Sequence, residues 1–219
     1  MIRDYTLEEL LFFDIETAGR TATLADLVEE KPELAAQFQY YFDNGHLCRR
    51  FPEKECTTAD EMFPEVAALM PEFSRIVCVA YGWLSGGDWN QGCRSGQDEG
   101  EILRKVDGDF TTFCNLNKVP CGWNAKYFDI PLLCKKFVEY GIPANPILPH
   151  HGMKPWEMRV LDPKDAWQQG SRNSLAKLDL VCAYLDVPSP KQGVVTGETL
   201  HSYYWDGIAN GEIDDRQKN

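Results

Sequence analysis

The chain has 219 residues, is 43% hydrophobic and carries a formal net charge of −12. That length suits one domain rather than two, and the apolar content is enough for one sizeable core. No apolar run approaches the ~18 residues of a membrane span, the N-terminal stretch has no signal-peptide pattern, and the 8 cysteines form no Cys-x-x-Cys pair. The composition thus excludes a long transmembrane helix and a disulfide scaffold, and points to a cytoplasmic protein with reduced thiols and no membrane partner.

Residues 10–17 read Leu-Leu-Phe-Phe-Asp-Ile-Glu-Thr. Four consecutive apolar positions predict a short buried strand over 10–13, ended by the acids. Side chains two apart on a strand share a face, so Asp14 and Glu16 point one way and Ile15 the other. Two adjacent carboxylates repel, and one takes up a proton unless a cation binds between them. Oxygen ligands of this kind suit magnesium or manganese. The bland alternative is a surface Asp and Glu in the turn after an ordinary strand.

Residues 20–70 read as an acidic insertion, with helical spacing over 24–30 and 32–42. His46, Cys48 and Cys56 lack a fourth zinc ligand and read as loop residues. Residues 75–84 form a long apolar strand, and Gly86-Gly87-Asp88 is a turn into a third strand. Residues 98–116 predict a helix with Ile102, Val106, Phe110 and Phe113 on one face.

Val119 to Trp123 reads as a fourth strand, followed by Asn124-Ala125-Lys126-Tyr127-Phe128-Asp129. Apolar positions 130, 133, 134, 137 and 138 then fit a helical stripe that stops at Gly141-Ile142-Pro143. Asp129 falls in a strand-to-helix connection, where it can face the same cleft as the first strand's end. A plain helix N-terminal Asp is the competing reading. A fifth strand is expected over 158–162, closed by Asp162 and Asp165. Ser174 is an expected N-cap for a helix to Leu185, with Leu178, Val181, Cys182 and Leu185 as its buried stripe. This order of strands and helices suits a mixed α/β sheet with helices on both faces.

Charge is unevenly spread. Residues 26–65 hold ten acids and four bases, whereas residues 124–177 hold eight bases against five acids. The basic excess surrounds residues 124–129, where a phosphate backbone would find its counter-charge, and a solvated surface with random charge variation is the competing reading. Trp123, Tyr127, Trp156 and Trp167 are candidates for stacking on bases, although core or rim positions are the commoner use of such residues. His150-His151 reads as a loop pair with no assigned role.

Asp14-Ile15-Glu16-Thr17 resembles the first motif of the DEDD superfamily of 3′–5′ exonucleases, and Asn124 to Asp129 resembles the second, Asn-x-x-x-Phe-Asp. Phe73 to Ala80, Arg159 to Trp167 and Ser174 to Leu180 are similar to segments of the branch related to the proofreading domains of family-B DNA polymerases. The resemblance covers most of residues 8–206. It implies an RNase H-like mixed five-stranded sheet with helices on both faces. It also implies phosphodiester hydrolysis at single-stranded DNA 3′ ends (RNA not excluded) by two Mg²⁺ or Mn²⁺ ions. By this resemblance Asp14 bridges both ions, Glu16 binds the water-activating ion and Asp129 the other. Thr17, Asn124, Lys126, Tyr127 and Phe128 would contact nucleic acid, and a replication or repair protein is an expected partner.

The family's third motif places a Tyr or His four residues before a final Asp. After Ser174, His201 is followed at that spacing by Trp205, Tyr203 by Gly207 and Tyr204 by Ile208. Leu200 to Asp206 resembles what precedes the third motif, and Asn219 falls about where that motif is expected to begin. The resemblance therefore allows a truncated domain, one completed from elsewhere, or a catalytically silent copy that binds nucleic acid or a replication protein. Asp162 is a candidate substitute ligand. The expected organisation is an exonuclease domain over 1–206 and an acidic tail over 207–219.

Overall fold

The computed structural model describes residues 5–148, 153–154, 157–171, 177–189 and 195–212. Four strands form one mixed sheet in the order β3-β2-β1-β4. The chain divides into two compact units, Met1–Ile15 with Cys78–Val194, and Glu16–Val77 with Val195–Asn219. Both are fed by the same two long strands, β1 (Leu10–Gly19) and, after an intervening helical segment, β2 (Ser74–Ser85).

β1 does not end at its acids. It runs ten residues, with Asp14 and Glu16 exposed while Ile15 and Thr17 between and after them are buried. Alternation explains the difference from the expected four-residue strand. Charges on the open face leave the backbone ladder and the opposite, apolar face intact.

Between β1 and β2 lie α1 (Leu24–Glu30), α2 (Pro32–Asp43), α3 (His46–Arg50) and α4 (Ala59–Val66). Capping boxes start two of them. Thr23 accepts from Asp26 N–H and Thr58 from Glu61 N–H, while each acid reaches back to its cap residue. Their apolar faces gather Leu27, Phe38, Leu47, Met62, Phe63 and Val66 into a core of their own. Phe38 meets Phe63 and Phe73 edge-on, at centroid distances of 5.1 and 5.0 Å. His46 and Cys48 lie on α3, not in a loop.

The other unit starts from the hairpin of β2 with β3 (Asp88–Ser95), paired antiparallel through Ser85↔Asp88. Gly86 and Gly87 take φ of 61° and 85°, the left-handed pair that a two-residue hairpin turn requires. Asp98 then caps α5 (Glu99–Asn115) by accepting from Glu101 N–H. Its buried face includes Ile102, Val106 and Phe110, and Phe110 meets Phe13 of β1 edge-on at 5.9 Å.

β4 (Val119–Cys121) runs parallel to β1, pairing Leu10↔Val119, Leu11↔Pro120 and Phe12↔Cys121. α6 (Asp129–Glu139) and α7 (Pro163–Gln168) follow, then α8 (Leu178–Tyr184) and α9 (Leu200–Ala209).

The expected fifth strand is reduced to a single bridge, Cys121↔Leu161, so among the described residues the sheet has four strands rather than five. Pro163 opens α7 with Asp162 as its cap, so the extended stretch turns away directly after Leu161. Val181 and Cys182 of α8 are buried as the periodicity predicts, but Leu185 is 53% exposed. Ser174, Trp156 and the His150-His151 pair lie outside the described residues. None of the described helices is long and apolar enough to cross a membrane.

Candidate functional site

Parallel pairing through Phe12↔Cys121 sets the carboxyl end of β4 beside the middle of β1, and open α/β sheets bind ligands outside strand carboxyl ends. β1 presents Asp14 there, and the chain leaving β4 loops through residues 122–128 before α6 begins at Asp129. Gly122 permits this approach. A Cβ at that position would stand 2.7 Å from the Phe13 carbonyl oxygen and 2.8 Å from the Ala125 Cβ.

Asp129 is only 3% exposed, and its Oδ1 accepts the Ile15 N–H at 3.1 Å. Burial pushes its carboxyl up to about 7, and the neighbouring Asp14 charge adds to the rise. Its own N–H and that of Ile15 pull the other way, and Asp162 raises it slightly further. Two ionised carboxylates so placed repel, which favours a proton on Asp129 or a cation beside it. Glu16 stands two residues beyond Asp14, exposed like it.

The donor set is all carboxylate oxygen, which fits a hard divalent cation. Among the described residues, however, no group of three or more His, Cys, Asp or Glu side chains is gathered to hold a metal ion. The Asp14–Asp129 pair therefore fits a cation in chemistry and not as a finished cage.

The 122–128 loop is held by side chains that periodicity does not show. Asp162 is 4% exposed, and its Oδ1 accepts the N–H groups of Asn124 at 2.9 Å and Lys164 at 3.0 Å. Its Oδ2 accepts the N–H of Lys126 at 3.2 Å. Both oxygens thus face backbone amides of the loop and of α7, the arrangement of a cap and brace. Lys164 Nζ donates to Asn124 Oδ1 at 2.9 Å, and Lys126 Nζ pairs with Asp165 at 3.1 Å. Asn124 has φ of 63°, a left-handed conformation that Asn tolerates better than most residues. The string Asp-Pro-Lys-Asp, a cap residue followed by proline at the first helical position, is the sequence signal that marks Asp162 as a helix cap.

The remaining expected contacts fall in different settings. Tyr127 is 59% exposed, with its hydroxyl 3.3 Å from Asp165 and Lys126 Nζ 5.6 Å from its ring centroid. Phe128, the residue before α6, is half-buried, and so is Trp123 near the start of the loop. Thr17 is buried, and its hydroxyl donates to the Ala68 carbonyl at 2.9 Å. Trp167 packs edge-on against Tyr184 at 5.4 Å.

No protein-family model matches the sequence, and no curated protein matches it. Among solved structures, the family B DNA polymerase from the hyperthermophilic archaeon Pyrobaculum calidifontis is similar. The match has a TM-score of 0.54 at 16% identity, covering 93% of this chain and 21% of that one. The chain shares its fold with part of a DNA polymerase. It spans about a fifth of that polymerase's length, so the likeness carries the fold alone.

Proposed function

We propose that this chain is a metal-dependent 3′–5′ exonuclease domain of the DEDD type, acting on single-stranded DNA ends. The observation that carries the reading is the buried Asp129 carboxyl, held against Ile15 in the middle of β1 and pushed up to about 7 by burial and by the neighbouring Asp14. Groups perturbed in this way cluster at functional sites. The fold shared with part of a DNA polymerase and the basic excess around the 122–128 loop support a nucleic-acid substrate.

Asp14, Glu16 and Asp129 would hold Mg²⁺ or Mn²⁺. When bound, two such ions supply charge for the scissile phosphate and lower the pKa of the attacking water. The chain's own part is positional. β1 sets Asp14 and Glu16 on one strand face, and the Ile15 N–H keeps Asp129 aimed at that strand. Lys126 and Tyr127, at the loop's surface, would meet the strand end.

Digestion of a 5′-labelled single-stranded oligonucleotide in Mn²⁺, beside Asp14→Ala and Asp129→Ala, tests the reading. A ladder shortening from the 3′ end in the wild type and lost in both variants is expected. Mn²⁺-dependent stabilisation without any ladder would mean a metal site that is built but catalytically silent. A ladder of equal strength in all three proteins would remove these carboxylates from the chemistry.

A further inference from the structure

We infer that Asp162 is a positioning residue for the proposed site, fixing the 122–128 loop so that Asp129 is presented to Ile15 and Asp14 of β1. The inference rests on the exonuclease reading and adds a residue outside its motifs. Three observations converge on it.

First, the segment before Asp162 is stitched to the end of β4. Leu161 N–H donates to the Pro120 carbonyl at 2.9 Å, and Gly122 N–H to the Leu161 carbonyl at 3.3 Å. Among the described residues this bridge stands where a fifth strand is expected, and it delivers Asp162 beside the loop.

Second, the buried carboxylate accepts from two loop amides, Asn124 and Lys126, while also capping α7 through Lys164. These amides lie five and three residues before Asp129. The loop closes on itself through Phe128 N–H to the Asn124 carbonyl at 3.0 Å and Ile130 N–H to the Ala125 carbonyl at 2.9 Å. Fixing Asn124 and Lys126 therefore fixes the first turn of α6.

Third, the same short segment makes two more side-chain ties to the loop, Lys164 to Asn124 and Asp165 to Lys126. A helix cap alone has no need of them. Only a carboxylate offers acceptors on both oxygens. Asparagine turns an NH₂ group towards one set of donors, and serine is too short to reach beyond its own helix. With three backbone amides on its two oxygens, the carboxylate acts on the reaction by placing the loop that carries Asp129.

The test uses the full chain with Asp162→Ser and Asp162→Asn. Serine keeps the cap on α7 but loses the loop amides. Local hydrogen exchange is read beside Mn²⁺-dependent trimming of a single-stranded DNA oligonucleotide. In Asp162→Ser, exchange over 122–128 should quicken by about tenfold or more with protection of α5 unchanged. kcat should fall about 10- to 100-fold, with KM changed by less than about twofold. Unchanged exchange overturns the inference, and so does faster exchange with unchanged kcat. If the serine variant does not fold, Asp162→Asn decides by the same two readouts. A wild type that trims no DNA defeats the exonuclease reading instead. Asp162 is then judged on exchange alone, faster at 122–128 in its favour and unchanged against it.

Discussion

The backbone N–H of Ile15 donates to Asp129 Oδ1 at 3.1 Å across 114 residues of sequence. This bond ties the middle of β1, one residue past Asp14, to the first residue of α6. It satisfies one lone pair of a buried carboxyl and leaves the charge problem unsolved. An ionised Asp129 would sit buried beside Asp14 with amide dipoles as its compensation, which is why burial and Asp14 together drive it towards the neutral form.

A stability consequence follows for Asp129→Asn. Because the folded-state value is raised to about 7 from 3.8, this group's contribution is fully present below pH ~4 and is lost as pH rises through about 7. Asparagine keeps the oxygen that accepts from Ile15 and carries no charge. Without divalent cation, the variant should be more stable than wild type at pH 8, by about 4 kcal/mol at most, and the gap should close towards pH 4. Urea denaturation at both pH values checks this. A variant less stable than wild type at pH 8 would mean that Asp129 is paired with a positive charge.

Gly122 offers a purely steric check on the same junction. A methyl group there would press on the Phe13 carbonyl oxygen at 2.7 Å, and backbone cannot step aside as a flexible side chain can. Gly122→Ala should cost ~1–3 kcal/mol and weaken Mn²⁺-dependent stabilisation, since β1 and the loop must part to admit it. Thermal melting with and without Mn²⁺ reads both effects, and unchanged melting would mean that the strand and loop are not pressed together.

Much of this architecture is legible in the sequence because local rules act alone there. Gly86-Gly87 can hardly be anything but a tight hairpin turn, and Asp98 before an amphipathic run marks the start of α5. β1 is misjudged because Asp14 and Glu16 look like terminators, whereas both project from one open face of a continuing strand. The fifth strand fails for a local reason that competes with its apolar residues: Asp162-Pro163 starts a helix. The brace on the 122–128 loop has no local signature at all, because its contacts join residues 36 to 40 apart. Likewise, the two side chains that hold Gly19, His201 and Trp205, come from α9 and stand more than 180 residues away.

Lys136 and Glu99 supply a test of buried charge away from the candidate site. Lys136 is 1% exposed, with Nζ 3.6 Å from Glu99 and 3.0 Å from Glu139, and Glu99 also accepts from the Tyr140 hydroxyl at 2.9 Å. Removing Lys136 leaves the buried Glu99 charge without its ammonium in a low-dielectric setting. Lys136→Met should therefore cost about 3–5 kcal/mol, while Lys136→Met with Glu99→Gln should recover most of that loss. Urea unfolding of both variants decides it. A single variant that costs less than about 1 kcal/mol would show the pair to be solvated and its geometry incidental.

His201 gives an opposite pH signature in the other unit. Its Nδ1 accepts from Gly19 N–H at 2.9 Å, so its Nε2–H donates to the Ala22 carbonyl, also at 2.9 Å. A second ring proton would face the Gly19 N–H. Burial holds the imidazole below its ordinary value of 6.5, against the pull of the Ala22 carbonyl and of the Glu65 and Asp206 charges. The stability it contributes is present above pH ~6.5 and lost as pH falls through the folded-state value. Asp129 works in the reverse sense over an overlapping range, so the two must be separated. In an Asp129→Asn background, stability should fall as pH drops below ~6.5, and adding His201→Leu should flatten that fall. The same change should cost about 1–3 kcal/mol at pH 8, because Gly19 loses its acceptor in a buried place. If the slope below pH ~6.5 is the same with and without His201, the neutral imidazole is not what holds Gly19 to α9.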